Sequence, residues 1–430
     1  MKKVCILTLG CKVNQYESEA LSQMLIEKNY EVTQEFSKSD IYIINTCSVT
    51  NMSDRKSRQL IRKCMQFKNN PIIAVTGCYS QAKPQEVSGI EGVDIVIGTD
   101  NKTQIIDLIE KEFTKREKIV SIEKDNISNT FDFESLKSYV EKTRAIIKIQ
   151  DGCNSFCSYC IIPYVRGRCR SRDKDEILSE VKMLAKNGYK EIVLSGIHVC
   201  NYGIDTEDMT FPKLLSMIEE VDGIERIRLS SVEPLAFNEE FFEVFGKSKK
   251  ICPHFHISLQ SGSDTVIKRM NRHYDTAFFE NTVKRLREIN PITSVTTDVI
   301  VGFPEETDDE FEETLSFIEK IRFLKVHTFK YSRRDGTKAS QMENHVPESV
   351  KDVRSKKVIE LSDKIEKEVI SSFKGKSLSV LFEEEKNGLW HGISDNYINV
   401  YVKSEENLKG KIKTVFIKEI DKLSSYGSIV

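Results

Sequence analysis

The sequence predicts a three-part α/β chain: a doubly wound α/β domain, a full or partial βα barrel, and a small all-β barrel. Three observations carry that expectation. Apolar runs alternate with helical stretches through the N-terminal quarter, the alternation resumes at Arg144, and beyond Ser371 strand formers punctuated by Gly388, Gly392 and Gly410 replace it. In order, Lys3–Leu9, Ile41–Asn45, Ile72–Val75 and Asp94–Ile97 read as strands, with Gln15–Glu27 and Ser53–Phe67 as helices between them. This rhythm predicts a mostly parallel sheet over 1–112. From Glu112 to Thr143 it is lost in charged, Ser/Asn-rich sequence such as EKDNISNTFDFES, read as a linker over 113–143. Ala145–Ile149, Glu191–Ser195, Arg226–Ser230, His254–Ser258, Val295–Val301 and Val326–Lys330 are further strands, separated by amphipathic segments such as Asp175–Lys186, Phe278–Ile289 and Asp308–Ile321. Such repeated βα units predict a (β/α)6 barrel over 144–348, with chemistry at the C-terminal strand ends. A charged helix, Ser349–Ser371, makes a connector over 349–372. Leu378–Phe382, His391–Ile393, Tyr397–Val402 and Ile412–Ile420 then predict short barrel strands over 373–430.

Composition excludes whole classes. Across 430 residues, 64 Lys and Arg stand against 66 Asp and Glu, a net charge of −2, so any nucleic-acid or membrane surface must be local. With 30% charged and 39% hydrophobic residues the chain is neither disordered nor collagen-like. No apolar stretch reaches the roughly 18 residues of a membrane span, and Met1–Gly10 is a strand-like run leading straight into structured sequence. A cytoplasmic protein is the expectation. In that reducing compartment the eleven cysteines read as thiolates rather than disulfides.

Their spacing is informative. The segment QDGCNSFCSYCIIPYVRGR sets Cys153, Cys157 and Cys160 in a CxxxCxxC pattern directly after the first barrel strand. Three thiolates on one loop can hold three irons of a 4Fe-4S cube and leave the fourth open. A zinc knuckle is the alternative, with Cys169 its nearest fourth ligand. Cys11, Cys47 and Cys78 each come immediately after a predicted strand, and parallel strands bring such ends to one carboxyl edge. That placement fits a second three-thiolate cluster; the alternative is three buried cysteines acting as small hydrophobes. Cys5, Cys64, Cys169, Cys200 and Cys252 receive no role.

Local charge differs from the global balance. Arg166–Lys174 holds five basic residues and one acid, and Arg322–Lys338 six and one. With Tyr164, Phe329 and Tyr331 interleaved, Arg166, Arg168, Arg170, Arg333 and Arg334 are candidate RNA contacts around a target base; a solvated face is the alternative. The C-terminal segment has nine Lys and eight acids from Phe373 on, with Trp390, Tyr397 and Tyr401 as stacking candidates or barrel core.

CNSFCSYC at the mouth of a six-unit βα barrel resembles the radical S-adenosylmethionine (SAM) superfamily. The resemblance implies that SAM is chelated by the open iron and reductively cleaved to a radical that removes a hydrogen. It places Tyr159 beside the adenine, Ser195 and Gly196 at the SAM amino group, and Glu233, Gln260 and Asp298 at later strand ends facing the mouth. The C-terminal segment resembles the RNA-binding TRAM module. The three parts in this order, with LGCKVNQYES, NTCSVT and SGIH, resemble the methylthiotransferase family, nearest its branch acting on N6-threonylcarbamoyladenosine in tRNA. By that resemblance, two 4Fe-4S clusters and two SAM per turnover add a methylthio group at C2 of the adenosine just 3′ of the anticodon. The catalytic residues are the cluster ligands alone. Partners would be the tRNA anticodon loop, an external electron donor such as flavodoxin or ferredoxin, and an unidentified sulfur donor. Related branches act on isopentenyladenosine or a ribosomal-protein aspartate, and a non-catalytic zinc and RNA-binding protein is the reading from another class. Cys200 stands where the family pattern has glycine, Lys330 where it has proline, and the tail is nearly neutral.

Overall fold

A computed structural model describes residues 1–36, 39–67, 70–115, 117–122, 136 and 143–430; the predicted linker lies largely outside the described residues. The chain divides into two compact units. The first comprises Met1–Val140, Lys148–Asp173 and Ser332–Ser340, and the second Glu141–Ile147, Lys174–Tyr331 and Gln341–Val430. The CxxxCxxC segment thus belongs with the N-terminal residues.

The first unit runs β1 (Lys3–Thr8), α1 (Lys12–Glu27), β2 (Glu31–Val32), β3 (Ile41–Thr46), α2 (Asn51–Cys64), β4 (Ile72–Gly77), α3 (Cys78–Ala82), α4 (Pro84–Ser88), β5 (Ile95–Ile97), α5 (Ile105–Lys115) and β6 (Ile119–Ser121). These strands form one parallel sheet in the order β2-β1-β3-β4-β5-β6. IYIINT of β3 and IIAVTG of β4 are buried at every residue, as central parallel strands covered on both faces must be. Cys5 and Cys64 pack in this core with Tyr42, Ile61 and Val75, so both are packing residues. The sequence placed a linker from residue 113, yet β6 adds a sixth strand there. Three residues are too few to show a period.

Strand β7 (Arg144–Asp151) starts in the second unit and ends in the first, where α6 (Ile162–Arg166) and β8 (Arg170–Ser171) follow the cysteine loop. The second unit continues with α7 (Lys174–Lys186), β9 (Glu191–Gly196), α8 (Phe211–Glu219), β10 (Arg226–Leu229), β11 (Ser231–Val232), α9 (Glu239–Lys247), β12 (His254–Ile257), α10 (Asp264–Arg269), α11 (Thr276–Ile289), β13 (Ser294–Val301), α12 (Asp308–Ile321) and β14 (Lys325–Lys330). The pairs β9/β10, β11/β12, β12/β13 and β13/β14 are all parallel, the alternating βα arrangement the sequence predicts.

Helix α13 (Glu348–Ser371) leads to β15 (Ser377–Lys386), β16 (Leu389–Ser394), β17 (Asn399–Val402), β18 (Ile412–Asp421) and β19 (Ser424–Ile429). They close a barrel in the order β15-β16-β17-β19-β18 around Val380, Phe382, Trp390, Val400 and Val415. Trp390 is therefore core and not an RNA platform. Sequence reading missed β19, whose SSYGSI carries little apolar signal; its pairing with both β17 and β18 closes the barrel. This small barrel docks on the N-terminal ends of the βα strands. Arg226 and Arg228 of β10 donate to the carbonyls of Ile393, Ser394 and Asp395, and Tyr397 stacks on His254 at 4.2 Å. Tyr397 is engaged there as well.

Candidate iron-sulfur and SAM sites

The N-terminal cysteines converge. Register pairs Thr8 with Asn45 and Thr46 with Gly77, so β1, β3 and β4 end level, and Cys11, Cys47 and Cys78 stand just past those ends. Gly10 has φ +108°, and a Cβ there would lie 2.8 Å from the Cβ and 3.1 Å from the Sγ of Cys47; only glycine brings Cys11 this close. Asn14 Nδ2 donates to the carbonyls of Leu9 (2.8 Å) and Thr46 (3.0 Å), tying the first two loops together. Burial raises the Cys47 pKa to about 11, with Cys78 and then Cys11 adding to the rise.

Arg334 braces the Cys47 loop. Its guanidinium forks onto Asp54 at 2.8 and 3.0 Å, reaches Asn51 Oδ1 at 2.7 Å, and donates to the Ser48 carbonyl and hydroxyl. Arg166 does the same for Cys78: its Nε approaches the Sγ at 3.4 Å, while its other nitrogens reach Glu17, Asp151 and Asn14.

Cys153, Cys157 and Cys160 occupy the loop between β7 and α6 in the same unit. Gly152 has φ +70°, and a Cβ there would meet the Arg168 carbonyl at 1.8 Å, so glycine is required for the loop to fold back. Cys153 N donates to Gly167 O and Cys160 N to Cys157 O, which sets the loop. No two of the eleven cysteines are joined by a disulfide. Among the described residues no three His, Cys, Asp or Glu are gathered tightly enough for a single ion. Three thiols in each set are the donor chemistry of a cluster that spreads its protein ligands over separate irons. Cys169 accepts from Gln150 Nε2 at 3.2 Å, consistent with packing.

In the second unit four of the predicted SAM contacts, Ser195, Gly196, Glu233 and Gln260, sit at or just past strand ends, and Asp298 lies within β13. Ser195 and Gly196 close β9, Ser195 buried. Glu233 follows β11, held by His198 at 2.7 Å and Arg272 at 3.1 Å. Burial alone would raise its pKa; the His198 hydrogen bond, then Arg272, lower it to about 2. It is not the solvated acid of the alternative reading. Gln260 is buried with φ +68°, and its backbone pairs with β13. Asp298 lies on β13, 3.2 Å from His256, whose ring also faces His327. Sequence reading missed His198, His256 and Arg272, which no spacing singles out. Cys200 is half-buried and Cys252 buried, and desolvation raises the pKa of each to about 12.

The basic stripes are largely consumed by the fold. Arg166 is 1% exposed and Arg334 5%; Arg170 and Tyr331 are buried too. These four are removed from the predicted RNA surface. Arg172 is buried against the Lys148 carbonyl, and Arg322, Lys325 and Lys330 pair with Glu368, Asp363, Glu366, Glu348 and Asp352 of α13. Basic residues close in sequence became ion pairs because α1, α2, β7 and α13 carry the complementary acids, buried at Arg166 and Arg334 and half-exposed along α13. Arg168, over the Phe156 ring at 4.7 Å, Arg333 and Phe329, 42% exposed, still face solvent.

With this geometry in hand, the class is defined. Residues 147–318 match the model of the radical SAM superfamily, and residues 3–98 that of the uncharacterized protein family UPF0004. The chain is 43% identical to threonylcarbamoyladenosine tRNA methylthiotransferase MtaB of Bacillus subtilis (strain 168), over 97% of this chain and 94% of that one. The Thermotoga maritima MtaB is 39% identical over 98% and 95%. A tRNA-2-methylthio-N(6)-dimethylallyladenosine synthase of Acetivibrio thermocellus is 36% identical over 100% and 91%. The fold is shared with the radical SAM methyltransferase TsrM of Kitasatospora setae, at TM-score 0.58 and 12% identity over 91% of this chain and 77% of that one. The chain belongs to the radical SAM methylthiotransferase family. As a member it is an enzyme that uses an iron-sulfur cluster and SAM, and among the described residues no helix is long and apolar enough to cross a membrane.

Proposed function

We propose that this enzyme methylthiolates C2 of N6-threonylcarbamoyladenosine just 3′ of the anticodon in tRNA, in the cytoplasm, using two 4Fe-4S clusters. The observation that carries the reading is the gathering of Cys11, Cys47 and Cys78 at one sheet edge, in the same compact unit as the CxxxCxxC loop. Similarity to enzymes named for this substrate supports it. Cys153, Cys157 and Cys160 would hold one cluster with an iron left for SAM, and the N-terminal trio a second. When bound, the first cluster and SAM would supply one-electron activation of a C–H bond, and the second would carry the sulfur to be transferred.

The chain's own residues hold and orient. Gly152 and Gly10 let the backbone fold close enough to present both thiol sets. Ser195, Gly196, Glu233, Gln260 and Asp298, all in the second unit, would be SAM contacts. Glu233, kept ionised by His198 and Arg272, offers a fixed carboxylate to a ligand hydroxyl or ammonium. Ring C2 lies on the base edge, so the nucleotide must leave its loop stack. Arg168 and Arg333 would meet phosphates and Phe329 a base. An external one-electron reductant is required.

Mass spectrometry of tRNA nucleosides from a deletion strain tests the substrate. The expected result is loss of 2-methylthio-N6-threonylcarbamoyladenosine with its unthiolated precursor accumulating. Loss of the dimethylallyl counterpart instead would transfer the assignment to the other branch.

A further inference from the structure

Beneath the N-terminal cysteines, Lys102, Lys148, Arg166, Arg170, Glu17 and Asp151 are all buried. Arg166 pairs with Glu17 at 2.8 Å and Asp151 at 3.1 Å, Lys148 with Glu17 at 3.0 Å and Asp151 at 2.6 Å, Arg170 with Asp151 at 3.6 Å, and Lys102 with Glu17. Among the ion pairs described, four cations share these two carboxylates. A buried excess of positive charge is costly unless an anion answers it. What this network faces is a cysteine sulfur: Arg166 Nε points at Cys78 Sγ, 3.4 Å away, and Arg166 Nη2 also holds Asn14, whose amide ties the loops leading to Cys11 and Cys47.

We propose that this cationic network is the built-in counter-charge of the iron-sulfur cluster on Cys11, Cys47 and Cys78, with Arg166 the positioning residue that holds Cys78 as a ligand. The inference rests on the second-cluster reading above. A three-thiolate cluster carries more negative charge after reduction, so fixed cations beside it raise its midpoint potential and strengthen its hold on iron. Arg166 also ends the helix that follows Cys160, and Asp151 lies two residues before Cys153, so the network anchors both cysteine segments in one place.

The test uses full-length protein carrying C153A, C157A and C160A, reconstituted anaerobically with iron and sulfide, so that only the N-terminal site can hold a cluster. Iron and sulfide content, and a potentiometric titration followed by electron paramagnetic resonance, are the readouts. Arg166→Gln should lower the midpoint potential and cost roughly 10- to 100-fold in iron affinity, the usual effect of losing an outer-sphere partner, whereas Arg166→Lys should keep the potential near that of the parent. Lys102→Met touches no cysteine and should lower the potential in the same direction, which keeps the test open if the Gln variant does not fold. Unchanged iron content and potential in Arg166→Gln and Lys102→Met would overturn the inference. A parent that binds no iron at all would instead remove the second cluster itself, and the inference with it.

Discussion

At the scale of single residues, the two cysteine trios differ in what their loss does. Cys157→Ala removes a ligand from the loop assigned to SAM and should abolish SAM cleavage. Cys78→Ala leaves that loop intact and should retain uncoupled cleavage while ending methylthio product. Wild-type product from the Cys78 variant would dismiss the second cluster. Two adjacent arginines make a sharper contrast. Arg334 is buried on Asp54, so Arg334→Ala leaves a buried carboxylate unpaired and should cost about 3–5 kcal/mol on chemical denaturation, with iron lost as the Cys47 loop loosens. Arg333 is exposed, and Arg333→Ala should leave stability within about 0.5 kcal/mol. If it meets a phosphate, tRNA affinity falls and its log-log salt slope drops by about 1; an unchanged slope makes Arg333 a plain solvated side chain.

At the scale of elements, α12 shows how local chemistry fixes a barrel helix. Thr307 accepts from the Glu310 backbone at 3.2 Å while Glu310 returns a carboxylate to the Thr307 N–H at 2.9 Å, closing a capping box. The same carboxylate receives Arg269 of α10 through two bonds, of 2.8 and 2.7 Å, and Thr265 at 2.6 Å. Arg269 leads in holding the Glu310 pKa down to about 2. A depressed carboxylate pKa stabilises the fold above its unfolded value of about 4.3, and that contribution disappears as pH falls from there toward 2. Thermal denaturation in that window should show Glu310→Gln losing less stability on acidification than the parent. Thr307→Ala should cost about 1 kcal/mol at neutral pH. Equal acid sensitivity of Glu310→Gln and parent would contradict the pairing.

At the scale of the molecule, the C-terminal barrel is seated on the βα strands by Glu191, Arg226 and Arg228. Glu191 binds Arg228 at 2.7 Å and Arg226 at 3.4 Å; Arg228 also donates to the carbonyls of Ser394 and Asp395, and Arg226 to the Ile393 carbonyl and the Ser379 hydroxyl of the small barrel. Burial opposes ionisation of Glu191, yet Arg228 and then Arg226 bring its pKa below the usual carboxylate value. Glu191→Ala strands two buried guanidiniums and should destabilise the protein by about 3–5 kcal/mol, and limited proteolysis should then release the residues beyond α13. A variant with unaltered stability and protease resistance would mean that the apolar seam alone holds the barrel. The docking lies at the N-terminal strand ends, whereas Ser195 and Gln260 stand at the C-terminal ends.

What the sequence determined by itself was whatever repeats along the chain or sits at fixed spacing. Apolar alternation gave the parallel sheet and the βα units, CxxxCxxC gave one thiol loop, and three cysteines after three strands gave the other, because parallel strands must end on one edge. Tertiary structure alone decided where charge went. Arg166 and Arg334 look in sequence like members of basic surface stripes, and only folding shows their partners, Glu17 and Asp54, to be far along the chain. Likewise β6 and β19 exist through pairing with neighbours and not through any pattern of their own. Periodicity is a local property readable one residue after the next. The pairing of a buried charge is a contact between distant segments, and nothing in the order of residues announces it.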